Sequence, residues 1–201
     1  LKVSIIIPTR IDRGYLRYAI QSVRNQTYKN IELIVQRGDY RVGKNINDGI
    51  AKSTGDIVMY FADDDLLPNN AAEIAVASIG NFDFIHGNAI RFKDVANRQV
   101  YRPTVTNPTV AQLVKHNHIH GGTCWYQRET ITKNKFNEDL WTGEEYEMHL
   151  RMLTNGCKLG YVNEVIFFYR LHQMQKSIGQ HSVDSWNKRM KEIQRIKQMY
   201  R

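Results

Sequence analysis

Three short apolar runs, Val3–Ile7, Ile31–Val35 and Ile57–Ala62, alternate with stretches of helical spacing, and this alternation restricts the fold more than any other feature of the chain. Val3-Ser4-Ile5-Ile6-Ile7 is rich in β-branched residues and stops at Pro8-Thr9-Arg10, as a buried strand does on reaching a loop. Between the first two runs, Leu16, Ala19, Ile20 and Val23 recur at helical intervals within Tyr15–Asn25, and a second helix is expected over Gly43–Ala51. A β-α-β-α-β series of this kind suggests right-handed crossovers, hence an α/β fold with a central sheet flanked by helices. The first run then ends at a loop suited to function, and the third is closed by Asp63-Asp64-Asp65.

The second half is less regular. It suggests a helix over Asn70–Ser78, a strand over Phe82–His86, another around Arg91–Tyr101 and a strand over Cys124–Gln127. Asn107-Pro108-Thr109 reads as an N-cap followed by proline at the first helical position, opening a helix through His116. A helix over Glu144–Leu153 and extended segments over Lys158–Val162 and Val165–Tyr169 follow. The chain closes on a helix that sets Val183, Trp186, Met190, Ile193, Ile196 and Tyr200 on one face. Without repeats or linkers, one domain over residues 1–201 is expected.

Composition narrows the function classes. With 42% hydrophobic and 24% charged residues the chain is neither disordered nor a fibrous or disulfide scaffold, and its apolar runs fall far short of the roughly 18 residues of a spanning helix. No leader pattern opens it, and the 2 cysteines, Cys124 and Cys157, form no CxxC pair, so a reducing, cytoplasmic setting is expected. The formal charge of +8 favours an anionic partner: a phosphate-bearing ligand, nucleic acid or a membrane surface. Part of it is local, since Lys188, Arg189, Lys191, Arg195, Lys197 and Arg201 crowd the last helix, which could lie on an anionic membrane or simply pack on the domain.

Asp63, Asp64 and Asp65 place like charges at one bend, where a divalent cation such as Mn²⁺ or Mg²⁺ would neutralise them. An acidic turn capping the helix near Asn70 would use the same residues. Around this bend stand the blocks Val3–Arg10, Ser22–Tyr28, Ile31–Val35, Gly43–Gly49, Gly55–Val58 and Ala62–Asp65, followed by Gly121-Gly122-Thr123, Glu144–Arg151 and Tyr169–His172. Together they span nearly the whole chain and resemble the family 2 glycosyltransferases of the GT-A fold, which implies a mixed, mostly parallel central sheet flanked by helices. The compact format is also similar to the first domain of multi-domain viral glycosyltransferases.

That resemblance implies a nucleotide-diphosphate sugar as donor, UDP-linked in the first instance, and inverting transfer to a hydroxyl of a glycan or lipid-linked acceptor. The nucleotide would occupy about residues 1–100 and the acceptor about 101–201. It assigns Asp63 to the ribose, Asp64 to the donor sugar, and Asp65 with His172 to the metal. Pro8, Thr9 and Arg10 correspond to the first nucleotide-facing loop, Asp39 to the second, and Lys44 and Asn47 to further nucleotide contacts. Glu145 is the expected general base, with Glu144 as the other choice, although acids at a helix start also favour the helix through its dipole. Gly121, Gly122 and Trp141 are expected at the acceptor, and the alternating His116, His118 and His120 in a loop nearby.

Two other classes fit part of the pattern. A nucleotidyltransferase would need a glycine-rich phosphate loop, which Pro8-Thr9-Arg10-Ile11-Asp12 is not. A non-catalytic module binding nucleotide-sugars or an anionic surface would rely on the basic last helix, but no aromatic-and-basic RNA-reading signature accompanies it, so nucleic acid is not the expected partner.

Overall fold

The computed structural model describes residues 1–38, 41–94, 96–173, 175 and 183–201. Strand β1 (Val3–Thr9) lies parallel between β2 (Ile31–Arg37) and β3 (Ile57–Tyr60), and the sheet continues in the order β2-β1-β3-β6-β4-β5. Here β4 is Phe84–Phe92, β5 is Arg98–Tyr101 and β6 is Trp125–Gln127; β7 (Leu159–Arg170) pairs with β4 along its length. The pairs β1·β2, β1·β3 and β4·β7 are parallel, while β3·β6, β4·β5 and β4·β6 are antiparallel. The sheet is therefore mixed, with its longest ladders parallel, and the antiparallel pairs come from the β4·β5 hairpin and from the short β6, which enters antiparallel to β3 and β4.

Burial explains the apolar runs. Ile5 and Ile7 face a core shared with Leu16, Ala19 and Val23 of α1 (Leu16–Arg24) and with Ala71, Ala72 and Ala75 of α3 (Ala71–Ser78). Ile6 points the other way, onto Ile46 and Ile50 of α2 (Val42–Lys52). A strand covered on both faces has no polar alternation to keep, hence the continuous β-branched sequence.

Several expectations shift at element ends. The segments expected over 158–162 and 165–169 are one strand, β7, with a register irregularity opposite Gly87–Ala89. The stretch expected as a strand over Arg91–Tyr101 is a hairpin, with Asp94 Oδ1 accepting the backbone N–H groups of Ala96 and Asn97 at 2.9 Å. Helix α4 (Val110–Lys115) is capped by Thr109, not Asn107. The reason is a reciprocal capping box: Thr109 Oγ1 accepts from Gln112 N at 3.3 Å and Gln112 Oε1 accepts from Thr109 N at 2.9 Å. Helix α5 (Arg128–Lys133) carries too short an apolar pattern to be read from sequence.

Helix α6 (Glu144–Thr154) and the closing helix α7 (Val183–Met199) lie on the α2 side of the sheet. Of the expected apolar face of α7, Ile196 is buried and Ile193 and Tyr200 pack on the core, whereas Trp186 is 53% and Met190 36% exposed. Tyr200 hydroxyl donates to Glu147 Oε1 at 2.8 Å, fastening the end of the chain to α6. Among the described residues no helix is long and apolar enough to cross a membrane.

Candidate active site

The site forms where β1, β3 and β7 end. Thr9 closes β1 and its hydroxyl donates to Asp63 Oδ2. The aspartates follow β3, and β7 is drawn over them by an antiparallel bridge in which Leu66 N donates to Phe168 O at 3.1 Å and Phe168 N to Leu66 O at 2.9 Å. This puts Arg170 and His172 on the loop: Arg170 N–H donates to Asp65 Oδ1 at 2.8 Å, and His172 Nε2 lies 2.9 Å from Asp64 Oδ2. The expected metal ligand His172 thus meets the aspartates at Asp64. Residues of the second half complete a loop of the first.

All three aspartates are buried. Burial pushes the Asp65 carboxyl well above the usual carboxylate range, and the adjacent Asp64 charge adds to it, while the Arg170 N–H acts in the opposite direction. Arg170 is wedged in place, its Nε donating to Asp64 O at 2.7 Å and its guanidinium lying 4.8 Å from the Tyr15 ring and 4.7 Å from the Phe92 ring. Gln175 holds the turn below, accepting from His172 N at 3.0 Å and donating to Arg170 O at 2.7 Å. Arg13, from the loop after β1, contacts Asp63 Oδ1 at 3.0 Å and Asp64 Oδ2 at 3.2 Å through Nη2.

Across from this loop stands the N-terminus of α6. Its cap is Gly143, with a left-handed φ of 72°, and a Cβ there would fall 2.7 Å from Ile193 Cδ1 and 3.0 Å from Ile196 Cδ1. Both the backbone conformation and the close seat of α7 therefore require glycine. Glu144 is buried; Glu145 is exposed and its carboxylate packs on Gly121, in the single helical turn Gly121–Thr123. The Glu145 charge also reaches Asp65, raising its pKa, and acts on Tyr60 and Tyr126, whose phenols burial already pushes far up. Gly122 lies against the Phe167 ring. Trp141 sits beside α7, with Lys188 Nζ 5.4 Å from its ring centroid.

The remaining expected residues are more scattered. Pro8 is half-buried in β1 opposite Gln36, and Arg10 is exposed where β1 ends. Lys44 pairs with Asp48 at 3.0 Å along α2. Asn47 is buried and fully engaged, donating to Phe136 O at 3.0 Å and Glu138 Oε1 at 2.9 Å and accepting from Phe136 N at 2.9 Å, which makes it a tie between α2 and the 136–138 segment. Asp39 lies outside the described residues.

The histidines occupy a loop as expected. His118 Nδ1 is 3.1 Å from Thr104 Oγ1, and His120 packs on Phe167 and Tyr169, its pKa pushed down to about 4 by burial and then by Arg91. Among the described residues no three His, Cys, Asp or Glu side chains converge into a metal cage.

Sequence reasoning passed over Arg13, Tyr15 and Gln175. It quoted Arg170 without giving it a role. The signal for Arg13 was present, a second arginine three residues past Arg10 in the same strand-to-helix loop.

A parallel β-α-β-α-β half ends in clustered aspartates and is faced by an acidic helix start from the second half of the chain. No family model matches the chain. In sequence it is 29% identical over 97 residues to glycosyltransferase GlyA of Streptococcus pneumoniae, covering 46% of this chain and 12% of that protein. It is 48% identical over 59 residues to an uncharacterized glycosyltransferase of Rickettsia typhi, covering 29% of this chain and 18% of that protein. The chain thus spans a small part of these curated relatives.

In structure it is similar to S. aureus TarS residues 1–349 in complex with UDP-GlcNAc, with a TM-score of 0.71 and 15% identity over 98% of this chain and 66% of that one. The TarS complex with UDP gives a TM-score of 0.70 at 14% identity, covering 100% of this chain and 65% of that one. The fold is the mixed α/β fold of these glycosyltransferases.

Proposed function

We propose that the chain is the catalytic domain of an inverting glycosyltransferase of family 2, moving a sugar from a UDP-sugar to a hydroxyl of a glycan or lipid-linked acceptor. The observation that carries this reading is the opposition of Asp65, buried at the end of β3, and Glu145, set on Gly121 within electrostatic reach of it. In this reading one carboxylate serves the cation that a departing diphosphate needs, and the other serves as base to an attacking hydroxyl. Solved relatives of this fold carry UDP and UDP-GlcNAc.

In this reading Thr9 steadies Asp63 for the ribose, Asp64 turns toward the donor sugar, and Pro8 and Arg10 line the nucleotide. Glu145 accepts the acceptor hydroxyl proton as that oxygen attacks the anomeric carbon from the side opposite the diphosphate. Gly121 and Gly122 admit the acceptor, and the ring of Trp141 borders it.

The residues present fit a divalent cation such as Mn²⁺ or Mg²⁺. Asp65 is a buried carboxylate whose ionised form lacks sufficient compensation, and such ions take most of their ligands from phosphate and water rather than from a protein cage. Asp65 and His172 would hold it, and when bound it supplies positive charge to the leaving diphosphate.

Calorimetric titration of UDP and UDP-GlcNAc with Mn²⁺, and then with chelator, tests the donor site. Asp65→Ala is expected to abolish metal-dependent donor binding, while Glu145→Gln keeps binding and slows transfer by about 100-fold or more. Metal-dependent binding that survives Asp65→Ala, or near-normal turnover of Glu145→Gln, would overturn these roles.

A further inference from the structure

Arg13 rises from the loop between β1 and α1, where residues 10–14 are all exposed. Asp12 Oδ1 accepts from Gly14 N at 2.7 Å and Gly14 has φ 85°, so a tight turn lifts Arg13 over the end of β1. One guanidinium nitrogen, Nη2, bridges Asp63 Oδ1 at 3.0 Å and Asp64 Oδ2 at 3.2 Å. The Arg13 side chain is 31% exposed against 9% for each aspartate. Arg170, at the end of β7, is by contrast fixed by the Asp64 carbonyl and two aromatic rings. Arg13 is thus a cation on an exposed turn, poised over the carboxylates.

A nucleoside diphosphate entering beside three aspartates brings more negative charge than one divalent cation cancels. A guanidinium matches phosphate oxygens with a planar fork of donors, and its positive charge persists at any working pH. We infer that Arg13 reads the diphosphate of the donor: it holds Asp63 and Asp64 before the donor arrives and turns its guanidinium to the phosphates when the donor binds. The inference rests on the donor-site reading above and deepens it, since the family resemblance gave this residue no role.

The test is calorimetry of UDP and of uridine, each with Mn²⁺ and with chelator, on the wild-type chain, Arg13→Gln and Arg13→Lys, with folding checked by circular dichroism and melting. Arg13→Gln is expected to weaken UDP by about tenfold or more, as loss of a charge-assisted hydrogen bond does, and uridine by less than about twofold. Arg13→Lys keeps the charge without the fork and recovers part of the loss. It carries the same comparison should the glutamine variant fold poorly. Equal weakening of UDP and uridine would make Arg13 a mere prop for the aspartates and overturn the inference, as would unchanged UDP affinity. A folded wild-type chain that binds neither ligand would instead sink the donor-site reading itself, and Arg13 with it.

Discussion

The carboxylate of Glu145 rests on the bare Cα of Gly121, so closely that a Cβ there would stand 2.3 Å from Glu145 Cδ and 2.4 and 2.7 Å from its oxygens. Any side chain at 121 evicts the carboxylate. What moves is the end of a flexible, exposed side chain, so Gly121→Ala is expected to cost less than about 1 kcal/mol of stability. On the proposed role of Glu145 as base, transfer should nevertheless fall by about tenfold or more with UDP binding unchanged, because the displaced carboxylate no longer reaches the acceptor proton. Steady-state rates measured beside donor titrations check this; unaltered turnover would remove Glu145 from the reaction.

Asp65 predicts an opposition between stability and function. Its folded-state pKa is raised, chiefly by burial and then by Asp64, so the folded chain holds this proton to higher pH than the unfolded chain does. Stability contributed by the protonated group is then lost as pH rises from the usual carboxylate range through the raised value. Asp65→Asn keeps an oxygen for the Arg170 N–H and removes the charge. Thermal melts from pH 4 to 8 should show the variant at or above the wild type near neutrality, with a flatter profile, while metal-dependent donor binding is lost. A variant that melts lower than wild type at every pH would contradict the assignment.

Glu32 has the opposite sign. Burial alone would raise its pKa, but the hydrogen bonds from Lys2, Ser4 and Thr54 outweigh it and bring the pKa to about 2, against a usual value of 4.5. Its contribution is therefore complete above pH 4.5 and lost as pH falls through about 2. Glu32→Gln, which loosens the join of β1, β2 and the 54–55 turn, should melt below wild type at pH 7 and converge with it in strong acid.

Gly143→Ala meets two obstacles, a left-handed φ of 72° and the methyl groups of Ile193 and Ile196. A loss of about 1–3 kcal/mol is expected, as for other strained backbone positions. Limited proteolysis should show α7 released before the rest of the chain unfolds; equal protection of α7 in both proteins would mean the contact is not what seats it.

The parallel half was legible because each buried strand announces itself by an unbroken β-branched run such as Val3–Ile7 and each crossover helix by its apolar spacing. The hairpin after Phe92 and the continuity of β7 were not, since both depend on which strand pairs with which, and no local pattern states that. In the site, Asp63–Asp65 stood out by residue type, and Glu145 and Gly121 through the family resemblance. Arg13 and Gln175 were passed over, because an arginine on an exposed loop and a glutamine in a turn gain their places only in the fold, the first from a carboxylate 50 residues away and the second from the backbone groups of His172 and Arg170.

The bridge between Leu66 and Phe168 makes the order of synthesis matter. A nascent chain that has emerged only as far as the loop after β3 already carries all three aspartates. It lacks Arg170 and His172 and the strand that lays them in place. The acidic loop therefore stays without these contacts until β7 is drawn in, and a truncated or stalled product would display it bare of them.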